Sequence, residues 1–367
     1  MREKAHEELI QGFAQGRLSR REAIQRLVAF GLSLPAIGGL LGRAGSAEAA
    51  GADVEAAKKE GKLVFWHTVN EPDVVKFAKL FTDKYGIKAE WERLLPGKAL
   101  PKLEAGLKSN TLDLDAWLMS DISIMYDQQK KGRLLQYLSP ELKAYAGEYK
   151  SNPDGSWTTY YINASPMMYS TRFVKKEEAP RTWLDLLDPK WKGQIGFRPS
   201  NSGSQYTWWY TLRDLLPKDY FDRLGKNQPR AYESSNQLMD DVQRGEIKLG
   251  GTVSIFQYAK AREVNQPVDV VLPTEGVPSG IEVVGILAST RRPNAAKLFV
   301  DYLLSREGQQ AWNDIQGSYS ARKDYTNKDL PSLASFKVLT PKDMEDYAST
   351  ARHQEYVKVW NQVVGFK

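Results

Sequence analysis

The 367-residue sequence contains no cysteine, and its three histidines lie far apart at positions 6, 67 and 353. Without cysteine, disulfide bonds, thiolate metal sites and cysteine nucleophiles are excluded. A zinc site built from several imidazoles is not expected either, because the histidines are scattered and His6 falls in a segment that we expect to be removed. The sequence therefore predicts neither a bound metal nor a cofactor.

The sequence motifs of the commonest enzyme classes are also missing. The chain contains no GxSxG, GxxxxGK[ST], HExxH or GxGxxG pattern. The neighbouring carboxylates Glu177-Glu178 and Asp240-Asp241 lie among lysines and arginines, which is typical of a solvated surface rather than of acid–base chemistry. We therefore expect a binding protein rather than an enzyme, and an exported enzyme on the same fold remains the alternative.

A strong charge of one sign and a long apolar run are lacking as well. The formal net charge is only +6 and acids and bases are interspersed, so no nucleic-acid partner is expected. The apolar stretch at 27–41 is interrupted by Pro35, Gly38 and Gly39. It is also shorter than the roughly 20 apolar residues that a membrane-spanning helix needs. The stretch is therefore not expected to anchor the protein in a membrane.

The same stretch has the features of an export signal. A basic segment at 18–24 precedes it and a run of small residues, SAEAAGA, follows it. The Ser19-Arg20-Arg21 core resembles the twin-arginine export signal. We expect residues 1–49 to be a signal peptide that is cleaved near Ala47 or Ala49, which would make the mature protein periplasmic. A retained amphipathic helix is the alternative.

The rest of the chain alternates between strand and helix patterns. Residues 62–69, KLVFWHTV, are rich in β formers, residues 73–84 repeat apolar positions at helical spacing, and residues 87–93 resume as a strand. A strand, a helix and a strand within about thirty residues form a βαβ unit, which implies a parallel sheet. Residues 157–171 are predicted to form one long strand that leaves the first lobe, and residues 294–312 are predicted to form one amphipathic helix. The sequence thus predicts two α/β lobes with a cleft between them.

The order of several segments resembles the extracellular solute-binding proteins of ABC importers, in the group that includes ferric-ion binders and their organophosphate-binding relatives. The most specific block is APRTWLDLLDPKWKGQIGFRPSNSGS, preceded by LVFWHTV and followed by PNAAKLFVDYLLSREGQQAW. The resemblance spans about residues 60–367. It implies an α/β, two-lobed periplasmic-binding-protein fold of type II, with mixed sheets flanked by helices and a two-strand hinge. It also implies a ligand in the cleft.

The predicted lobe boundaries follow the order of these segments. Lobe 1 is expected at 50–158 and 274–325, and lobe 2 at 159–273 and 326–367. The resemblance implies a membrane permease and its ATPase as partners. We expect a monomer that captures one small solute and releases it intact to that permease.

The predicted ligand-binding residues follow the ends of strands, because ligands of open α/β sheets bind there and helix N-termini offer free N–H groups. The richest segment is Arg198–Ser204, in which Arg198 supplies a guanidinium fork for a phosphate, phosphonate or carboxylate and Gly203 allows close approach of the backbone. The alternative interpretation of this segment is a capped loop in which Arg198 forms a structural ion pair and does not contact a ligand. The full predicted set is His67, Thr68, Asn70, Glu71, Ser120, Asp121, Tyr160, Arg198, Ser200, Asn201, Ser202, Gly203, Ser204, Thr252, Ser254 and Glu275.

The favoured ligand is a small organic anion such as a phosphonate, a sugar phosphate or a carboxylate. The resemblance also implies ferric iron as an alternative ligand, but ferric-ion binders of that group use two adjacent tyrosines where this chain has Ile255 and Phe256, which counts against iron. An iron site would then depend on His67, Asp121 and Tyr258.

A polyamine or another organic cation is a third alternative for the ligand. Glu71, Asp121 and Glu275 could form an acidic box with aromatic walls around such a cation. The sequence alone does not decide among the three ligand classes.

Overall fold

The computed structural model describes residues 51–145, 154–200 and 202–365. The predicted signal peptide, its twin-arginine core and its cleavage positions lie outside these residues. None of the described helices combines the length and the apolar character that crossing a membrane requires.

Helices and short strands alternate along the chain. The first elements are α1 (Val54–Glu60), β1 (Lys62–His67), α2 (Glu71–Tyr85), β2 (Lys88–Arg93), α3 (Pro96–Ser109), β3 (Ala116–Met119), α4 (Ile122–Lys130), β4 (Trp157–Ala164), β5 (Met167–Ser170) and β6 (Ile195–Phe197). The next are α5 (Gly203–Leu212), α6 (Tyr220–Lys226), β7 (Arg230–Ala231), α7 (Ser235–Arg244), β8 (Leu249–Gly250), α8 (Ile255–Glu263), β9 (Val268–Val271) and β10 (Val277–Ile286). The last are α9 (Pro293–Leu304), α10 (Arg306–Gln316), β11 (Val338–Leu339), α11 (Met344–Tyr347) and α12 (Thr350–Val364).

The strands form two mixed sheets flanked by helices, which confirms the predicted fold class. The first sheet has the order β11-β10-β3-β1-β2, and β4 also pairs with β10. In it, β1 runs parallel to β2 and β3, whereas β10 is antiparallel to β3 and β4. The second sheet has the order β7-β6-β8-β5-β9, in which β6 is parallel to both neighbours and β5 is antiparallel to both of its own.

Two short segments connect the sheets in the middle of the chain. Ser165-Pro166 leads from β4 to β5, and residues 272–276 lead back from β9 to β10. The predicted single strand at 157–171 was therefore wrong, because the chain leaves the first sheet at Ser165-Pro166, and the proline has no N–H with which to continue a ladder. The lobe boundaries themselves remain a prediction.

Aromatic side chains form the core on each side of these connections. Behind the first sheet, Phe65 stacks on Phe299 with a centroid distance of 5.0 Å, and Phe77 meets Trp312 edge-on at 5.2 Å. Behind the second sheet, Phe197 packs 5.0 Å from Trp208, which is fully buried. These aromatic contacts pack helices against each of the two sheets.

The predicted helix at 294–312 is two helices, α9 and α10, which meet at Ser305. This residue has an extended backbone with ψ 160°, and its hydroxyl accepts a hydrogen bond from the N–H of Gly308 at 3.0 Å. Serine is a strong N-cap because its side-chain oxygen satisfies an unpaired N–H of the first turn. The apolar periodicity continues across the cap, so the break was not predicted.

A carboxylate on α1 caps the start of α9. Glu60 accepts hydrogen bonds from the backbone N–H groups of Asn294, at 3.2 Å, and Ala295, at 2.7 Å. We expect Glu60→Ala to lower the free energy of unfolding by about 1–2 kcal/mol in urea denaturation, because two N–H groups lose a charged acceptor. Glu55→Ala, on the exposed side of α1, is the control. It should change the free energy of unfolding by less than about 0.5 kcal/mol. Equal losses in the two variants would contradict the capping role.

Candidate ligand-binding site

A cavity of about 760 Å³ is lined by residues that follow strands of both sheets. This volume is in the range of pockets that hold small organic molecules. Its first-sheet wall contains Thr68 and Asn70, after β1, and Ser120 and Asp121, after β3. The hydroxyl of Thr68 accepts a hydrogen bond from the N–H of Ser120 at 3.0 Å, which joins the two loops into one wall.

The second-sheet wall contains the loop after β6 and the starts of two further helices. Arg198, Ser200 and Ser202–Ser204 line the cavity from the loop and from the first turn of α5. Ser235, at the start of α7, and Ser254, which precedes α8, complete the wall. Small hydroxyl side chains therefore dominate this side of the cavity.

Of the described helices, six begin at the cavity: α2, α3, α4, α5, α7 and α8. Each helix start presents unpaired N–H groups and a partial positive charge. The residues that precede α2, α5 and α8, namely Asn70, Ser202 and Ser254, form no side-chain capping bond. Their helix starts are therefore available to an anion.

The guanidinium of Arg198 adds a full positive charge to this arrangement. Arg198 is partly buried, and no carboxylate of the described residues lies within 4.0 Å of it, so the structural ion pair considered from the sequence is not formed there. Burial lowers the pKa of Arg198, and the charge of Glu233 opposes this effect. The fold thus holds a partly desolvated cation at the cavity, and no described residue forms a salt bridge with it.

Asp121 contributes an acid to the first-sheet wall and also caps α4. Its carboxylate accepts hydrogen bonds from the N–H of Ser123 at 3.0 Å and from the hydroxyl of Ser123 at 2.6 Å. Capping is present in the structure, and the residue lines the cavity as well.

Several predicted site residues on the first-sheet side point elsewhere. His67 is fully buried behind the wall, with its Nε2 3.4 Å from Glu71 Oε2, and burial lowers the pKa of His67. Glu71 accepts a hydrogen bond from the indole N–H of Trp91 at 2.7 Å. Tyr160 packs edge-on against the core residue Trp312.

The remaining predicted residues on the second-sheet side also have other partners. Thr252 is buried and donates a hydrogen bond to Gln205 Oε1 at 2.6 Å. Glu275 accepts a hydrogen bond from the N–H of Trp183 at 3.1 Å. Asn201 lies outside the described residues. The structure therefore brings Thr68, Asn70, Ser120, Asp121, Arg198, Ser200, Ser202, Gly203, Ser204 and Ser254 together at the cavity.

The strands β4 and β10 form a further side of the cavity that the sequence did not reveal. Tyr161 lies opposite Glu282 in the pairing of these strands, and Asn163 lies opposite Gly280. All four residues line the cavity, and we refer to them as the β4–β10 floor. Tyr161 belongs to the floor because successive side chains of a strand point to opposite faces, so that its neighbour Tyr160 faces the core.

Glu282 is the acid of the β4–β10 floor. Its side chain is 6% exposed, and Oε2 receives no hydrogen bond from a described residue. The pKa of Glu282 is raised to about 8, chiefly by burial, while the hydroxyl of Tyr161 lowers it and the nearby charge of Asp121 raises it. Near neutral pH this carboxyl is therefore mostly protonated.

Residues from the C-terminal segment close the cavity on the side of α5. The ring of His353 stacks on Tyr206 at 3.9 Å, and the Tyr206 hydroxyl donates a hydrogen bond to the backbone oxygen of Tyr347 at 2.6 Å. The hydroxyls of Thr207 and Tyr347 lie 2.9 Å apart. No local signal in the sequence connects positions so far apart.

The residues predicted for an iron site are not brought together. Only Asp121 lines the cavity, whereas His67 is buried behind its wall and the Tyr258 hydroxyl donates to Asp269 at 3.3 Å. Among the described residues, no group of three or more histidines and carboxylates is arranged to hold a metal ion.

The acidic box predicted for a polyamine is also incomplete. Of its three members, Asp121 alone lines the cavity, because Glu71 and Glu275 are bonded to tryptophan N–H groups outside it.

Known proteins of similar sequence and structure identify the family. Residues 117–346 match the profile of the bacterial extracellular solute-binding proteins. Iron uptake protein A1 of Synechocystis sp. is 31% identical over 278 residues, which cover 70% of this chain and 75% of that protein. An uncharacterised protein of Haemophilus influenzae is 27% identical over 325 residues, which cover 84% of this chain and 92% of that protein.

A solved structure shows the same architecture. The periplasmic binding protein AfuA of Actinobacillus pleuropneumoniae, with exogenous fructose-6-phosphate bound, is 27% identical. It superposes with a TM-score of 0.69 over 84% of this chain and 100% of that one. These similarities confirm the resemblance stated from the sequence. The chain belongs to the family of bacterial extracellular solute-binding proteins, the non-enzymatic periplasmic components that bind small solutes for the permease and ATPase of ABC importers.

Proposed function

We propose that this protein captures a small organic anion, with a phosphate, phosphonate or carboxylate group, in the cavity between its two sheets. The observation that carries this proposal is the convergence of six helix starts on the cavity that Arg198 lines, together with a guanidinium that has no ion pair among the described residues. A helix start binds anions through its free N–H groups and its partial positive charge, and arginine matches phosphate and carboxylate with two parallel hydrogen bonds.

The ligand-binding residues that we propose are those that line the two walls of the cavity. Ser200, Ser202 and Ser204 supply hydroxyl donors beside Arg198, while Thr68 and Ser120 supply polar groups from the other wall. The sugar phosphate bound by AfuA supports an anion of this kind. Closure of the two predicted lobes as a monomer would enclose the anion, and opening at the permease would release it.

A binding experiment tests this proposal. The mature chain is screened by thermal shift against phosphonates, sugar phosphates, carboxylates, polyamines and ferric citrate, and hits are measured by isothermal titration calorimetry. We expect one anion per chain, a ligand that is recovered unchanged, and an unfolding temperature that rises with ligand concentration. Binding of polyamines or ferric citrate with no response to any anion would reject the proposal, and so would turnover of the ligand.

Gly203 offers a sharper test, since it is the first residue of α5 and lines the cavity. A Cβ added there would meet no atom within 4 Å, so the fold accepts alanine. The methyl group would nevertheless lie beside the N–H groups that the anion needs. We expect Gly203→Ala to weaken anion binding by about tenfold, which corresponds to the loss of one hydrogen bond, without lowering the unfolding temperature.

Gly97→Ala is the matched control for this variant. Gly97 lies in the first turn of α3 and, unlike the preceding Leu95, does not line the cavity, and a Cβ there also meets no atom within 4 Å. Anion affinity in this control should equal that of the wild type. If calorimetry shows the same affinity for Gly203→Ala, the start of α5 is not part of the anion site.

A further inference from the structure

The β4–β10 floor presents two buried hydrogen-bond acceptors that have no donor. These atoms are Glu282 Oε2 and Asn163 Oδ1, and no described residue donates to either of them. A buried polar atom without a partner costs about 1–3 kcal/mol, so most buried acceptors in proteins are paired. Two such atoms lie on neighbouring strands at the wall of the cavity, where a ligand can donate to both of them.

The neighbours of these two acceptors fix their positions but do not satisfy them. The Asn163 amide donates through Nδ2 to the hydroxyl of Ser254 at 3.4 Å, which leaves Oδ1 directed away from that contact. Gln316 donates to the Tyr161 hydroxyl at 3.3 Å and accepts from the Trp312 indole at 3.0 Å. The Tyr161 hydroxyl also interacts with the Glu282 carboxyl, and Oε2 of that carboxyl still has no donor among the described residues.

Open space lies above the floor at Gly280. A Cβ added to this residue would meet no atom nearer than the backbone oxygen of Asn163, at 4.0 Å. Gly280 lines the cavity and lies opposite Asn163 in the strand pairing. A ligand group can therefore reach the floor at this point without displacing a side chain.

The charges at the floor exclude a second anionic group on the ligand. Arg198 and His353 are the basic side chains among the described cavity residues, and neither belongs to the floor. Asp121 and Glu282 instead bring two acids to the first-sheet side. A ligand tail with carboxylates, as in citrate, would face the negative charge of Asp121 and would meet no basic side chain at the floor, whereas hydrogen-bond donors would be complementary to Glu282 and Asn163.

We infer that Glu282, Asn163 and Gly280 form a second subsite, which recognises hydroxyl or ammonium hydrogens on the part of the ligand that does not carry the anion. This inference rests on the proposed function, because it takes the anionic group to bind at Arg198. The ligand is then a bipolar molecule with an anionic head and a tail that bears proton donors. Methylated, purely apolar or polyanionic tails are rejected at the floor.

Hydroxyl and ammonium tails are distinguished by the protonation of Glu282. Burial and Asp121 keep this carboxyl mostly protonated, and a neutral carboxyl can both donate to and accept from a hydroxyl. An ammonium group would favour the ionised carboxylate and would release its proton on binding. Calorimetry in buffers of different ionisation enthalpy measures that release directly.

The test compares three probes: methyl phosphate, which has the head alone, fructose 6-phosphate, which adds hydroxyls, and 2-aminoethylphosphonate, which adds an ammonium. Wild-type protein should bind at least one of the two tailed probes about tenfold or more tightly than methyl phosphate, because the tail satisfies the buried acceptors. Gly280→Ala should remove this advantage and leave the affinity for methyl phosphate unchanged. Gly97→Ala is the control for the added methyl group.

Glu282→Gln separates the two tail classes, because glutamine keeps the size and an acceptor but cannot ionise. The affinity for an ammonium probe should fall about tenfold or more, whereas a hydroxyl probe should change by less than about threefold. Equal wild-type affinities for all three probes, or tailed-probe binding that Gly280→Ala leaves unchanged, would overturn the subsite. Failure of the proposed function has a different signature, since methyl phosphate would then not bind or Arg198→Ala would not affect its binding.

Discussion

Replacement of Arg198 by alanine should weaken the binding of an anionic ligand by about 100-fold, measured by calorimetry. A hydrogen bond between charged groups contributes roughly 1.5–3 kcal/mol, and arginine forms two with one phosphate or carboxylate. Arg198 has no carboxylate partner among the described residues, so no internal ion pair competes with the ligand. Calorimetry should therefore measure the whole loss of affinity that removal of the two hydrogen bonds causes.

The same variant should not lower the stability of the ligand-free protein. Burial lowers the pKa of Arg198, which means that the unliganded fold disfavours this charge. Removal of a partly buried and unpaired cation should leave the unfolding temperature unchanged or slightly higher. A loss of affinity without a loss of stability is what distinguishes a binding residue from a structural one.

Two further variants control this experiment. Arg198→Lys keeps the charge but loses the planar fork. Its affinity for the anion should lie between that of the wild type and that of Arg198→Ala. Arg291→Ala removes an exposed arginine outside the cavity and should bind as the wild type does. Wild-type affinity in Arg198→Ala would contradict the anion site. A large drop in unfolding temperature would assign Arg198 a structural role instead.

The part of the candidate site that was predictable from sequence follows one rule of α/β sheets. Residues after β1, β3 and β6 could be identified as cavity residues because the carboxyl ends of neighbouring parallel strands meet at one edge. Thr68, Asp121 and Arg198 line the cavity for this reason. The two sheets were predictable in the same way, from the alternation of strand and helix patterns in each half.

The β4–β10 floor could not be predicted by that rule, because its residues lie within strands. The pairing of β4 and β10 contains an irregularity between Glu282 and Val283, which interrupts the simple alternation of faces. Without the partner strand, the sequence does not tell which face Glu282 occupies. Tyr161 rather than the predicted Tyr160 lines the cavity for a related reason, since one residue of shift exchanges the core face and the cavity face of a strand.

Tyr347 and His353 show a second limit of sequence reasoning. They reach the cavity because the C-terminal segment returns from β11, in the first sheet, to α12 beside α5. Contacts of this kind join residues more than a hundred positions apart. They depend on tertiary packing, for which local periodicity carries no signal.

Glu282 should make the stability of the ligand-free protein fall as the pH rises from about 4.5 to about 8. Burial raises the pKa of this carboxyl in the folded state, whereas the unfolded chain releases the proton at the ordinary value of 4.5. Between these two values the folded state holds a proton that the unfolded state has lost. The stabilisation is therefore complete below pH 4.5, declines through this window and is lost above the folded pKa. One pKa unit corresponds to about 1.4 kcal/mol, so the contribution of Glu282 amounts to roughly 3–5 kcal/mol.

Glu282→Gln isolates this contribution, because glutamine is neutral at every pH. The free energy of unfolding of both proteins is measured by urea denaturation at pH 5 and pH 9. Relative to the wild type, the variant should be more stable at pH 9 than at pH 5 by several kcal/mol. Glu263→Gln, at an exposed position on α8, is the control and should show the same pH dependence as the wild type. Parallel pH profiles for wild type and Glu282→Gln would mean that Glu282 is ionised at neutral pH. The floor would then carry a permanent negative charge, and an ammonium rather than a hydroxyl would be the donor that it recognises.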